Sequence, residues 1–196
     1  MKYPENIREL IKLPIDYMGM IFYEKSPRYI YGLSGDELNT IPENIKLVGV
    51  FVNSDLQYIA DNILQYSLDV IQLHGNESPE VCKELNELIP VVKAFSIAEA
   101  SDFILTKEYE GTCTYFLFDT KTPQYGGSGQ KFDWNILNEY NGLTPFFLSG
   151  GISIDDVDAI KNIKHPRFTG IDLNSRFETA LGLKNIQLLE QFIKQL

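Results

Sequence analysis

Residues Pro145–Arg176 read PFFLSGGISIDDVDAIKNIKHPRFTGIDLNSR. An apolar run, Pro145–Ser149, ends on Gly150 and Gly151. Ser153, backed by Asp155 and Asp156, then opens a helical pattern through VDAIKNI, because a serine cap and an acidic first turn stabilise a helix start. A second apolar run, Phe168–Asp172, ends on another polar loop, Asp172-Leu173-Asn174-Ser175-Arg176. Strand, helix and strand in so short a span predict parallel strands joined by a right-handed crossover. The first loop has anion-binding character. Its glycines let backbone N–H groups approach a phosphate, and a helix N-terminus follows.

The same rhythm extends toward the N-terminus. Apolar runs fall at Tyr17–Phe22, Lys46–Val52, Asp69–Leu73, Val91–Phe95 and Tyr115–Asp119, giving seven predicted strands with the two above. They read as buried on both faces, as parallel strands are. Helical stretches lie between them. Ser54 with Gln57 makes a capping box before LQYIADNILQY. Ser78-Pro79 supplies a cap and a first-turn proline before VCKELNEL. A last helix spans about Gly182–Gln195. Nothing in composition divides the chain, so residues 1–196 are expected to form a single domain.

Two architectures suit this pattern. An open doubly wound sheet shows its glycine-rich ligand loop early, after the first strand. Here the glycines come late, at Gly126–Gly129 and Gly150–Gly151, and a polar turn follows the last strand. Loops after the last two strands hold phosphate in (β/α)8 barrels. Such a barrel opens with a strand, whereas this chain opens with a helical stretch, about Pro4–Lys12. The expectation is therefore a (β/α)8 TIM barrel lacking its first β-strand. Tyr17–Phe22 and Phe168–Asp172 would then be apolar edges facing a gap, sticky enough to drive homo-oligomer formation. The alternative is an open sheet.

Charge narrows the function. The chain carries 17 Lys and Arg against 27 Asp and Glu, a net charge of −10. That excess disfavours nucleic acid and anionic membranes, though a local site can still hold an anionic small molecule. No segment is long and apolar enough to span a bilayer, and the start has no signal-peptide architecture. Cys82 and Cys113 make no metal-type spacing and suit a reducing cytoplasm.

Candidate chemistry sits at strand ends. Asp119 ends a buried strand and precedes the glycine-rich loop Gly126-Gly127-Ser128-Gly129. A catalytic carboxylate belongs at that place in a barrel, and the loop has the freedom of a lid; an ordinary strand end and loop is the alternative. Gly150 and Gly151, with Asp172, Asn174, Ser175 and Arg176, form the two late loops. Arg28 could fork onto a carboxylate or phosphate, or lie on the surface in a turn. His74 could bond a ligand or cap its strand. His165 reads as solvated. Cys82 and Cys113 read as packing. Lys93, inside an apolar run, reads either as an amine pointing into the barrel or as a snorkelling side chain.

Taken in order, SPRY (26–29), GVFVN (49–53), QLHG (72–75), KAF (93–95), FDTKTPQYGGSGQKFDW (118–134), LSGG (148–151) and GIDLNSRFE (170–178) resemble the phosphoribosylanthranilate isomerase family along essentially the whole chain. The resemblance implies an Amadori rearrangement of N-(5′-phosphoribosyl)anthranilate in tryptophan biosynthesis, with no metal and no organic cofactor. A general acid protonates the furanose oxygen, and a base takes the C2′ proton. By resemblance Asp119 is the acid and Arg28 binds the anthranilate carboxylate. Gly151, Ser175 and Arg176 hold phosphate, mainly through backbone N–H groups, and Asp172 contacts ribose hydroxyls. Many members have Gly where Arg176 stands. In the family the base is a cysteine at the end of the first strand, followed by glycine and then a PEN-like helix start. This chain begins MKYPENI, so Met1 aligns just after that Cys-Gly, and impaired activity is expected. The alternatives are a catalytically inactive phosphate-ligand-binding barrel and another sugar-phosphate isomerase.

Overall fold

A computed structural model describes residues 1–38, 40–121 and 131–196. Helix α1 (Pro4–Leu10) leads into strand β1 (Tyr17–Ile21), the short α2 (Gly35–Leu38), β2 (Lys46–Phe51), α3 (Leu56–Tyr66), β3 (Val70–Leu73), α4 (Pro79–Asn86) and β4 (Val91–Ile97). A 3-10 stretch, Ala100–Tyr109, precedes β5 (Tyr115–Thr120), and another, Trp134–Glu139, precedes β6 (Phe146–Leu148). Then come α5 (Val157–Lys161), β7 (Phe168–Ile171), the paired β8 (Glu178–Ala180) and β9 (Leu183–Lys184), and α6 (Ile186–Gln195). No helix among the described residues is long and apolar enough to cross a membrane.

Strands β1 to β7 form one parallel sheet in sequence order. Its curvature follows from one contact. Tyr17 on β1 meets Phe147 on β6 edge-on, with ring centroids 5.6 Å apart. In a flat sheet, five strand spacings of ~4.8 Å would separate those strands by about 24 Å. Two side chains cannot bridge that distance, so the sheet curls until β1 and β6 face each other across its interior.

The two faces bury different partners. Val48, Val70, Val92, Ala94 and Leu117, with Tyr115 and Phe147, pack on the inner face, and every one of them is a strand residue. The opposite face buries Met20, Phe51, Ile71, Phe95 and Phe118 in one cluster with Ile7, Ile59, Leu85 and Leu189 of the helices. A doubly wound sheet has helices on both faces. This one has them outside only, which excludes the open-sheet alternative.

All seven strands were legible, with ends shifted by a residue or two. Burial on both faces holds for β2 and β4 but not for the sheet's edges. On β1 exposed and buried residues alternate, and Tyr17 is 39% exposed. Among the described residues no strand pairs with the outer edges of β1 and β7.

Three local expectations are corrected. The cap of α3 is Asp55, whose carboxylate accepts from the Tyr58 N–H, rather than Ser54. Helix α6 starts at Ile186 behind the Asn185 cap, because Gly182 turns the β8–β9 hairpin with φ +78°. Lys93 points neither into the barrel nor to solvent. It lies on the outer face beside Val91 and Phe95, with its side chain 3% exposed.

Candidate active site

Parallel strands in a curled sheet bring all their C-terminal ends to one rim. Asp119, next to last in β5, stands on it. Its Oδ1 accepts from the Thr120 N–H at 2.8 Å, and its Oδ2 lies 3.4 Å from Nε2 of His74, just past β3. Nδ1 of His74 is 3.0 Å from the amide Nε2 of Gln72. The loop after β6 presses on the same carboxylate. Gly150 has φ +93°, and a Cβ there would meet Thr120 Oγ1 at 2.2 Å and Asp119 Oδ1 at 2.8 Å. Glycine alone fits that approach. Gly151 follows at φ +68°.

Asp172, just past β7, accepts a hydrogen bond from Ser149 Oγ at 3.0 Å. Burial pushes its carboxyl above the usual carboxylate range; Lys184 opposes that shift and the charge of Asp119 adds to it. Two carboxyl groups on one rim, in unlike surroundings, are a common arrangement for acid chemistry.

A charged cluster borders Asp172. Arg28 is no surface arginine. Its Nε and Nη2 fork onto Glu178 at 2.7–3.0 Å, with side chains 12% and 5% exposed. Lys184, on the hairpin, reaches Asn174 Oδ1 at 2.7 Å and Glu178 Oε1 at 3.3 Å. Burial alone would raise the Glu178 pKa, but the hydrogen bonds and charges of Arg28 and Lys184 outweigh it and hold the carboxyl below its usual value. Burial lowers the Lys184 pKa against the pull of Glu178 and Asp172. The guanidinium has two bidentate edges. Glu178 occupies the Nε/Nη2 edge and orients the other.

The His74 loop is held from below. Lys93 donates to Gly75 O at 2.7 Å, Leu73 O at 3.3 Å and Glu77 Oε2 at 3.2 Å. Glu77 in turn accepts from the Asn53 N–H at 2.8 Å and the Gly75 N–H at 3.0 Å. A buried ammonium and carboxylate thus tie the ends of β2, β3 and β4 together.

The remaining candidates divide. Ser175 opens a 3-10 turn, Ser175–Phe177, on which Arg176 is exposed. Ser153 caps the turn after Gly151 as expected, and the structure adds a capping box with Asp156, on which Lys131 sits at 2.6 Å. Gly127 and its glycine-rich neighbours lie outside the described residues. His165 is structural, its Nε2 lying 3.0 Å from Tyr140 O. Cys82 and Cys113 are buried, as expected of packing residues. Gln72, Glu77, Glu178 and Lys184 were not singled out by sequence. Glu178 closes the GIDLNSRFE motif, but its partner Arg28 is 150 residues away.

The family model for N-(5′-phosphoribosyl)anthranilate isomerase matches residues 1–195. The isomerase of Parabacteroides distasonis is 50% identical over 199 residues, a match covering 100% of this chain and 90% of the relative. The crystal structure of the Thermotoga maritima isomerase has a TM-score of 0.84 at 32% identity, covering 100% of this chain and 94% of the other. An isomerase structure solved in complex with reduced 1-(o-carboxyphenylamino)-1-deoxyribulose 5-phosphate gives 0.83 at 28% identity and the same coverage.

The buried pair under His74 should behave as a unit. Glu77→Gln and Lys93→Met should each cost about 3–5 kcal/mol in urea denaturation, because each strands a buried charge. The double variant should cost less than the sum; additive costs would contradict the pairing. Glu178 has a sign that can be checked. Its depressed pKa gives stability that is present above its unfolded pKa and lost as pH falls through the folded value. The melting temperature should therefore drop on acidification through the carboxylate range, and Glu178→Gln should flatten that drop. An unchanged pH profile in the variant would rule out this contribution.

Proposed function

The chain belongs to the N-(5′-phosphoribosyl)anthranilate isomerase family, enzymes of tryptophan biosynthesis, and we propose that it catalyses that reaction at the rim just described, with Asp119 as general acid. The observation that carries this reading is the convergence of Asp119, His74 and the Gly150–Gly151 turn at hydrogen-bonding or van der Waals range.

In this reading the substrate lies across the rim. Its phosphate sits on backbone N–H groups of Gly151, Ser175 and Arg176, with Asn174 alongside. The anthranilate carboxylate takes the free edge of Arg28, which Glu178 holds in orientation. Asp172 meets the ribose hydroxyls. Asp119 gives its proton to the furanose ring oxygen, the C1′–O bond breaks, and the ring opens to an iminium. A base removes the C2′ proton, leaving an enolamine that tautomerises to the ketone. The atoms of the substrate are those of the product, so no co-reactant is required.

We further propose that the curled sheet is seven strands of an eight-stranded barrel. The Met1 amino group donates to the Gly19 carbonyl on the open edge of β1, and it lies near Asp172, Glu178 and Lys184. A strand leading into that point would enter the sheet between β1 and β7 and end at the substrate. By resemblance to the family, its last residues would bring the cysteine base. The cysteines among the described residues do not serve: Cys82 is packed within α4 and Cys113 precedes β5, at the opposite end of the strand from Asp119. On this reading the 196 residues alone turn over slowly and self-associate through the unpaired edges.

The test compares isomerase activity of this chain with that of the same chain extended N-terminally by an apolar segment ending in Cys-Gly. The extension should raise turnover by about 10²–10⁴-fold, the usual worth of a positioned base. It should also shift elution in size-exclusion chromatography toward a monomer. Asp119→Asn in the extended chain should lose a comparable factor. Equal rates with and without the extension would overturn the account of the base, and an active Asp119→Asn would overturn the account of the acid.

A further inference from the structure

Asp119 faces an imidazole, with His74 Nε2 3.4 Å from its Oδ2. That nitrogen can present either an N–H or a lone pair to the carboxyl group. What decides the matter is the other ring nitrogen. A neutral imidazole carries one N–H and one lone pair, and the hydrogen bond made at one nitrogen sets the state of the other.

Gln72 is the group that faces Nδ1. It sits two residues earlier on β3, with its side chain on the same inner face of the sheet. Its amide nitrogen lies 3.0 Å from Nδ1. An amide NH₂ only donates, so Nδ1 must accept, and the imidazole proton goes to Nε2, on the Asp119 side. In that tautomer His74 donates toward Asp119 and has no lone pair there to receive a proton. A second proton would have to enter at Nδ1, where it would collide with the amide N–H unless Gln72 turned its carbonyl inward.

We propose that Gln72 is a positioning residue that fixes His74 in the Nε2–H tautomer, so that His74 donates to Asp119 rather than accepting from it. The inference about catalysis rests on the reading of Asp119 as the acid. The tautomer itself does not. The elements packed around His74 bring two carboxyl groups toward it, Asp119 on β5 and Asp172 past β7. Lys93 and Glu77 hold the backbone of Leu73 and Gly75 on either side of the ring, which keeps Nδ1 over the amide.

The experiment is a long-range ¹H–¹⁵N spectrum of the resting 196-residue protein labelled at histidine. The chain has two histidines, and His165→Asn assigns the signals. His74 should show a protonated Nε2 and an unprotonated Nδ1. Gln72→Leu, which removes the donor, should turn this single tautomer into a mixture. Gln72→Glu, nearly identical in shape, should accept at Nδ1 and move the proton there or give an imidazolium. A wild-type Nδ1–H tautomer would overturn the proposal, as would an unchanged Nε2–H signal in folded Gln72→Leu or in Gln72→Glu. If Gln72→Leu fails to fold, the wild-type and Gln72→Glu spectra still decide. Because the readout needs no turnover, it stands apart from the assay of Asp119→Asn: loss of the acid reading would leave the tautomer result intact, and the reverse.

Discussion

Curling a parallel sheet until its opposite strands face each other is the constraint from which the rest follows. The contact between Tyr17 and Phe147 is possible only if β1 and β6 face one another. Once the strands curl that far with common direction, their C-terminal ends form one ring. Residues distant in sequence then become neighbours without special loops. Asp119 is next to last in β5, His74 follows β3, Gly150 follows β6 and Asp172 follows β7, and each needs only to lie within two residues of a strand's C-terminal end. The rim is a consequence of the strand ends, and the helices on the outer face hold the curl by burying that face's side chains away from water.

Placing charge on such a rim costs desolvation, and the structure offsets that cost by pairing. Arg28, Lys184 and Glu178 form one group of two cations and one anion, with Asn174 taking the remaining lysine bond. Lys93 and Glu77 form another on the outer side. Asp172 stands apart from these ion pairs. It has a serine hydroxyl as its hydrogen-bond donor, and burial raises its pKa.

Much of this was legible before the structure. Strands were found because short apolar runs bounded by polar loops have few other readings, and Asp119 stands at the C-terminal end of its strand, as expected of an acidic residue closing an apolar run. The late glycines pointed to a barrel, and the curled sheet with helices on its outer face alone agrees with that class. What escaped depends on facts that local sequence does not carry. The Arg28–Glu178 pair joins residues 150 apart. The direction of Lys93 was ambiguous because β4 is buried on both faces, so alternation gives no sign. The β8–β9 hairpin was hidden because its residues continue the apolar pattern of α6. Ser54 and Asp55 are both good caps, and only the helix's actual first turn chooses between them. Gln72 was passed over because a glutamine in an apolar run carries no chemistry until its partner is known.

The central claim is that this rim binds the substrate with its reacting end at Asp119. A crystal structure of the chain soaked with the reaction product, 1-(2-carboxyphenylamino)-1-deoxyribulose 5-phosphate, tests it most directly. The account expects phosphate against Gly150–Gly151 and Ser175–Arg176, the carboxylate on the free edge of Arg28, and a sugar oxygen within hydrogen-bonding distance of Asp119. A ligand bound away from the rim, or bound there with its two ends exchanged, would contradict it.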